Sequence, residues 1–117
     1  MAKLGIIRTI DSAHGKKIHG HTFKIEINLV DKLVNNMVGN IDFHEINPMI
    51  DRVIASLDKT YIDEVIGTRA TVENIAIYII KELKELNNLY SVIVWEGSDK
   101  YAEVLKEEVL EEGEKDG

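Results

Sequence analysis

Polar and apolar residues alternate with a period of two from residue 19 to residue 29. His19, His21, Phe23, Ile25, Ile27 and Leu29 share one side, and Gly20, Thr22, Lys24, Glu26 and Asn28 the other. Successive side chains of an extended chain point to opposite faces, so this predicts a half-buried strand whose apolar face opens on two histidines. Upstream, Leu4 to His14 reads as a strand carrying Ile6, Ile7 and Ile10. Asn35-Asn36, set between Leu33-Val34 and Met37-Val38, reads as a turn closing an excursion of the sheet. From about His44 the period lengthens. Ile46, Met49, Ile50, Val53, Ile54 and Leu57 make the stripe of an amphipathic helix, with Pro48 in its first turn. A loop with Gly67-Thr68 follows. Thr71 then caps a second helix bearing Val72, Ile75, Ala76, Ile79, Leu83 and Leu86, which Asn87-Asn88 ends. Val92 to Glu96 is a third strand, and Tyr101 to Val104 a fourth after the turn Gly97-Ser98-Asp99. This order predicts an α+β fold: a four-stranded antiparallel sheet with two helices packed on one face.

Composition narrows the class. A chain of 117 residues, 44% hydrophobic and 30% charged, suits one soluble domain with a packed core. No apolar run approaches the roughly 18–20 residues of a membrane span, so no membrane partner is expected. The first residues lack a secretory apolar region, and a cytoplasmic location is expected. The absence of cysteine excludes disulfides, thiol redox chemistry and cysteine-based zinc sites. Net charge is −7, and residues 106–117 hold six acids against two lysines. The reading is a domain over residues 1–105 and an acidic C-terminal tail over 106–117. The near-balanced body offers no basic stripe for a phosphate backbone, so no nucleic acid partner is expected.

The chemistry concentrates on histidine. His19-Gly20-His21 projects two imidazoles from one face of a strand, about 6–7 Å apart, and His14 ends the strand before. A tight connection would bring His14 beside the pair. Three neutral imidazoles and one open position make a catalytic zinc site. Two alternating histidines also arise on strands that bind nothing, and spacing alone leaves both readings open.

Several blocks of residues together match something more specific. Asp11-Ser12-Ala13-His14 followed by His19-Gly20-His21-Thr22-Phe23 resembles the signature of the 6-pyruvoyl-tetrahydropterin and 6-carboxytetrahydropterin synthases. Gly39-Asn40-Ile41-Asp42-Phe43, Leu57-Asp58-Lys59-Thr60-Tyr61, Thr71-Val72-Glu73-Asn74-Ile75-Ala76, and Val94-Trp95-Glu96 with Tyr101-Ala102-Glu103 are similar to further blocks of that family, in its order. The resemblance covers residues 6 to 105. It implies the T-fold, in which three subunits join their sheets into a barrel and two trimers stack as a hexamer. It implies Zn2+ as cofactor, held by His14, His19 and His21, and a pterin anchored by Glu96. A carboxylate suits that task because it accepts two parallel N–H bonds. Thr71 is a second substrate-binding candidate; with Glu73 and Asn74 it also fits a helix cap or a place at the subunit interface.

The departures from the pattern lie in the acid–base machinery. The family's cysteine, four residues before His-Gly-His, is Gly15 here, and the histidine after Asp58 is Lys59. The loop between the first zinc histidine and the pair is cut to Gly15-Lys16-Lys17-Ile18 and holds no glutamate. Asp58 and Lys59 become the catalytic candidates, with Lys16, Lys17 and His44 as other possible bases. The resemblance thus implies a zinc-dependent enzyme acting on dihydroneopterin triphosphate or a related pterin, within a homo-oligomer. The alternatives are an aldolase-like cleavage of the dihydroneopterin side chain, or a paralogue that binds zinc and a pterin or purine without turnover.

Overall fold

The sheet grows from one long hairpin. In the computed structural model, which describes residues 1–110, β1 (Ala2–His14) and β2 (His19–Asp31) pair antiparallel over their full length. The register runs from Ala2 opposite Asp31 to His14 opposite His19, so four residues suffice to turn the chain. β3 (Leu33–Val34) and β4 (Met37–Val38) form the small excursion expected between them and the helices. Asn35 and Asn36 both take positive φ, 53° and 65°. That is the backbone of a tight hairpin turn whose twist matches its strands, and asparagine tolerates it. β5 (Leu89–Glu96) pairs with β2, and β6 (Lys100–Leu105) with β5, giving the order β1-β2-β5-β6, antiparallel throughout.

α1 (Phe43–Leu57) and α3 (Val72–Glu82) cover one face, α1 over β1 and α3 over β5 and β6. The odd-numbered residues of β2 meet them: Phe23, Ile25, Ile27 and Leu29 are fully buried. Burying each side chain of this size contributes about 1.5–3 kcal/mol. Ile50, Leu57, Ile75 and Ile79 complete the layer from the helix side.

The periodicity misplaces three features. Asp42 caps α1 by accepting the His44 N–H at 2.9 Å, so the helix begins at Phe43 and Pro48 lies in its second turn rather than its first. There the proline leaves the His44 carbonyl without a helical donor. α3 stops at Glu82, short of Asn87-Asn88, because Leu83 and Leu86 reach the core from an irregular turn that keeps the helical spacing. The loop before α3 contains a further short helix, α2 (Ile62–Ile66), closed by Gly67 at φ 76°. At the C-terminal end, α4 (Lys106–Val109) is one helical turn and Leu110 is buried; the acidic residues 111–117 lie outside the described residues. No helix among the described residues is long and apolar enough to cross a membrane.

The opposite sheet face carries Ile7, Lys24, Trp95 and Tyr101. Ile7 and Tyr101 are each 55% exposed, and the Trp95 and Tyr101 rings lie 4.4 Å apart under Lys24. Along β1's outer edge the chain after α1 adds a short strand-like contact. The Lys59 N–H donates to the Asp11 carbonyl, and the Ala13 N–H to that of Thr60. Upstream of this contact β1 remains an edge among the described residues, as does β6.

Candidate metal and substrate site

His14 closes β1 and His19 opens β2, and their cross-strand pairing is what brings the three imidazoles together. One nitrogen from each of His14, His19 and His21 lies within 4.8 Å of the others, and a small inward turn of the rings would let the three hold one ion. Two of the rings are oriented from behind by backbone carbonyls: His14 Nδ1 lies 3.0 Å from the Ala70 oxygen, and His19 Nδ1 2.6 Å from the Lys17 oxygen. A carbonyl only accepts, so each Nδ1 donates, and in the neutral ring this leaves the Nε2 lone pair to face a ligand. Ligating histidines are held in this way. His14 Nε2 is buried and has no hydrogen-bond partner among the described residues. Such an orphan costs about 1–3 kcal/mol, and a cation at that point would satisfy it. The donor set therefore fits a metal ion.

Glu96, at the end of β5, faces the same side of the sheet. Its Oε2 lies 3.6 Å from His14 Nε2 and its Oε1 3.3 Å from Lys100 Nζ. They share the wall of a cavity of about 720 Å³, lined by His14, Gly15, Lys16, Lys17 and His19, by residues 69–73, and by Glu96, Lys100, Tyr101 and Ala102. His21 lies beyond the cavity, beside Gly20 and Thr22. Thr71 borders the cavity and also caps α3, accepting the Asn74 N–H at 3.0 Å. Asn74 is tied into that cap through the Arg69 carbonyl, whereas Glu73 borders the cavity.

The remaining candidates divide. Lys16 and Lys17 border the cavity, while Lys59 and His44 are exposed elsewhere. Asp58 accepts the Asp11 N–H at 2.9 Å on β1's outer edge, so a single chain does not bring Asp58 and Lys59 to the histidines. Ser12, of the block before His14, donates to the Leu57 carbonyl and fastens β1 to the end of α1. The Ala70 carbonyl and the cations Arg69 and Lys100 were not among the sequence candidates. A carbonyl is common to every residue and leaves no signal, and two isolated cations look like solvated side chains.

A helix-backed antiparallel sheet with three histidines gathered at the turn end of its long hairpin, where they could hold a metal ion, defines a T-fold protein. The chain belongs to the 6-pyruvoyl tetrahydropterin synthase family, whose model matches residues 7–107. It is 36% identical over 112 residues to the "Putative 6-carboxy-5,6,7,8-tetrahydropterin synthase" of Archaeoglobus fulgidus, covering 88% of this chain and 95% of that protein. Among solved structures it is similar to the Caenorhabditis elegans 6-pyruvoyl tetrahydropterin synthase, with a TM-score of 0.78 at 20% identity over 89% of this chain and 94% of that one. It is also similar to a catalytic-residue mutant of the Plasmodium vivax enzyme, with a TM-score of 0.65 at 16% identity, covering 88% and 96% of the two chains. At these identities the structural matches establish the fold.

Proposed function

We propose that the protein is a zinc-dependent enzyme acting on dihydroneopterin triphosphate or a closely related pterin. The observation that carries this reading is the approach of Glu96 to His14, 3.6 Å apart across one cavity. A substrate anchored on that carboxylate would extend its side chain over the histidines. Zinc bound by His14, His19 and His21 would polarise a side-chain oxygen as a Lewis acid. Glu96 would accept the paired N–H groups of the pterin's 2-amino and ring positions. Lys16, Lys17, Arg69 and Lys100 border the same cavity and supply four positive charges for a phosphorylated substrate. The relative from Archaeoglobus favours the 6-carboxytetrahydropterin branch.

Proton transfer within one chain falls to Lys16 or Lys17. The Asp58–Lys59 pair would serve only if a second chain brought its own cavity to β1's edge. We propose such an assembly: a trimer closing its sheets edge to edge, paired into a hexamer. It is supported by the edges that β6 and the part of β1 before Asp11 leave unpaired among the described residues, and by the exposed Ile7 and Tyr101. The second reading, binding of zinc and pterin without turnover, is favoured by Gly15, which offers no side chain where the family's cysteine stands. Zinc-loaded and chelated protein incubated with dihydroneopterin triphosphate, with products separated chromatographically, distinguishes the readings. Zinc-dependent elimination of triphosphate supports the synthase, side-chain cleavage that leaves a hydroxymethyl group on the ring and releases a two-carbon aldehyde supports the aldolase-like alternative, and no conversion supports the binding protein.

A further inference from the structure

Gly15 follows the first histidine, and both of its backbone polar groups are held by side chains from a single short segment. Its N–H donates to Asp63 Oδ1 at 3.0 Å, and its carbonyl accepts from Tyr61 Oη at 3.0 Å. That segment is itself fixed: Tyr61 bridges Ala13 on β1, and Ile62 is fully buried. Gly15 sits at φ 93°, within a turn of four residues that joins His14 to His19. A glycine has the widest choice of backbone conformations, so nothing intrinsic to the turn selects this one. The two hydrogen bonds select it, and the carboxylate makes one of them charge-assisted.

We propose that Asp63 and Tyr61 are positioning residues for the metal centre. By holding the Gly15 peptide groups they fix how the chain leaves His14, and with it the convergence of His14 and His19. The inference rests on the reading of the histidines as metal ligands, and it assigns the α2 segment a task beyond packing. Neither side chain lines the cavity itself; both act through the backbone of Gly15, which does.

The test uses the full chain and two probes, zinc and Co(II). Affinity is measured by competition with a chelator, the Co(II) visible spectrum reports ligand geometry, and thermal melting is followed without metal. Wild type is compared with Asp63→Ala, Asp63→Asn, Tyr61→Phe and Ile62→Val, the last a packing control in the same segment. Loss of a group bonded directly to a ligand weakens metal binding by roughly 10–100-fold; acting one step further out, Asp63→Ala and Tyr61→Phe should reach the lower end, about 10-fold, with an altered Co(II) spectrum. Asp63→Asn keeps an oxygen that accepts the Gly15 N–H and should bind metal nearly as wild type does. Ile62→Val should lower the melting temperature without changing affinity. Unchanged affinity and spectrum in both Asp63→Ala and Tyr61→Phe would overturn the proposal, as would equal weakening in Ile62→Val. A wild-type protein that binds neither metal would instead remove the metal-site reading, and the clamp with it.

Discussion

Restoring a cysteine at position 15 should damage this protein rather than repair it. Gly15 holds φ 93°, and a Cβ there would lie 3.0 Å from His19 Cε1 and 3.4 Å from the Lys17 carbonyl oxygen. A left-handed backbone costs a non-glycine residue about 1–2 kcal/mol, and crowding of this kind adds roughly 1 kcal/mol. Removing glycine's freedom from the unfolded chain returns about 0.4–1 kcal/mol. The net loss is about 2 kcal/mol, or roughly 8 °C in melting temperature for a domain of this size. Relief of the crowding turns the His19 ring away, so metal affinity should fall as well. Melting of Gly15→Cys and wild type at one protein concentration, with and without zinc, reads both effects, because a ligand that binds only the folded state raises the melting temperature by mass action. A variant that melts with wild type, keeps its zinc shift and gains pterin turnover would refute the reasoning. It would show that the turn accepts a side chain and that the chain lacked only the thiol.

Three further outcomes follow from the geometry. Gly39 lies at φ 55° with its missing Cβ against the Asp31 carboxylate, which itself accepts from Asn88 Nδ2; Gly39→Ala should cost about 1–3 kcal/mol, read as a lower urea midpoint with an unchanged slope. Thr71→Ala removes the α3 cap and should cost about 1 kcal/mol, with Thr71→Ser restoring most of it in the same assay. Sedimentation at micromolar concentration should show a trimer-based oligomer, and a stable monomer of 13.3 kDa would remove both the barrel and any role for Lys59 at a neighbour's site.

The architecture was legible because β2 alternates almost without fault and both main helices carry a single apolar stripe. Asn35-Asn36 and Thr71 marked a turn and a cap by side-chain chemistry alone. α2 was missed because a five-residue helix is too short to show a period, and its one buried residue, Ile62, gives no pattern. The histidine cluster was legible for a different reason: His14 and His19 face each other across a hairpin, and a short loop forces that pairing. What positions the cluster was not legible. The carbonyls of Ala70 and Lys17, the Asp63 carboxylate and the Tyr61 hydroxyl act over sequence separations that no local pattern records. Asp58 shows the converse. The motif singled it out for chemistry, and within the chain its carboxylate is engaged by the Asp11 N–H at β1's edge.

The proposed site sets a metal held by His14, His19 and His21 beside a cavity whose carboxylate, Glu96, binds a pterin. Calorimetric titration of dihydroneopterin triphosphate into zinc-loaded wild type and Glu96→Ala, with zinc measured in each sample, tests it most directly. The account predicts one zinc per chain in both proteins. It also predicts binding weaker by about 1.5–3 kcal/mol in the variant, the worth of hydrogen bonds to a charged group. Equal pterin affinity in the two proteins, or a wild type without stoichiometric zinc, would contradict it.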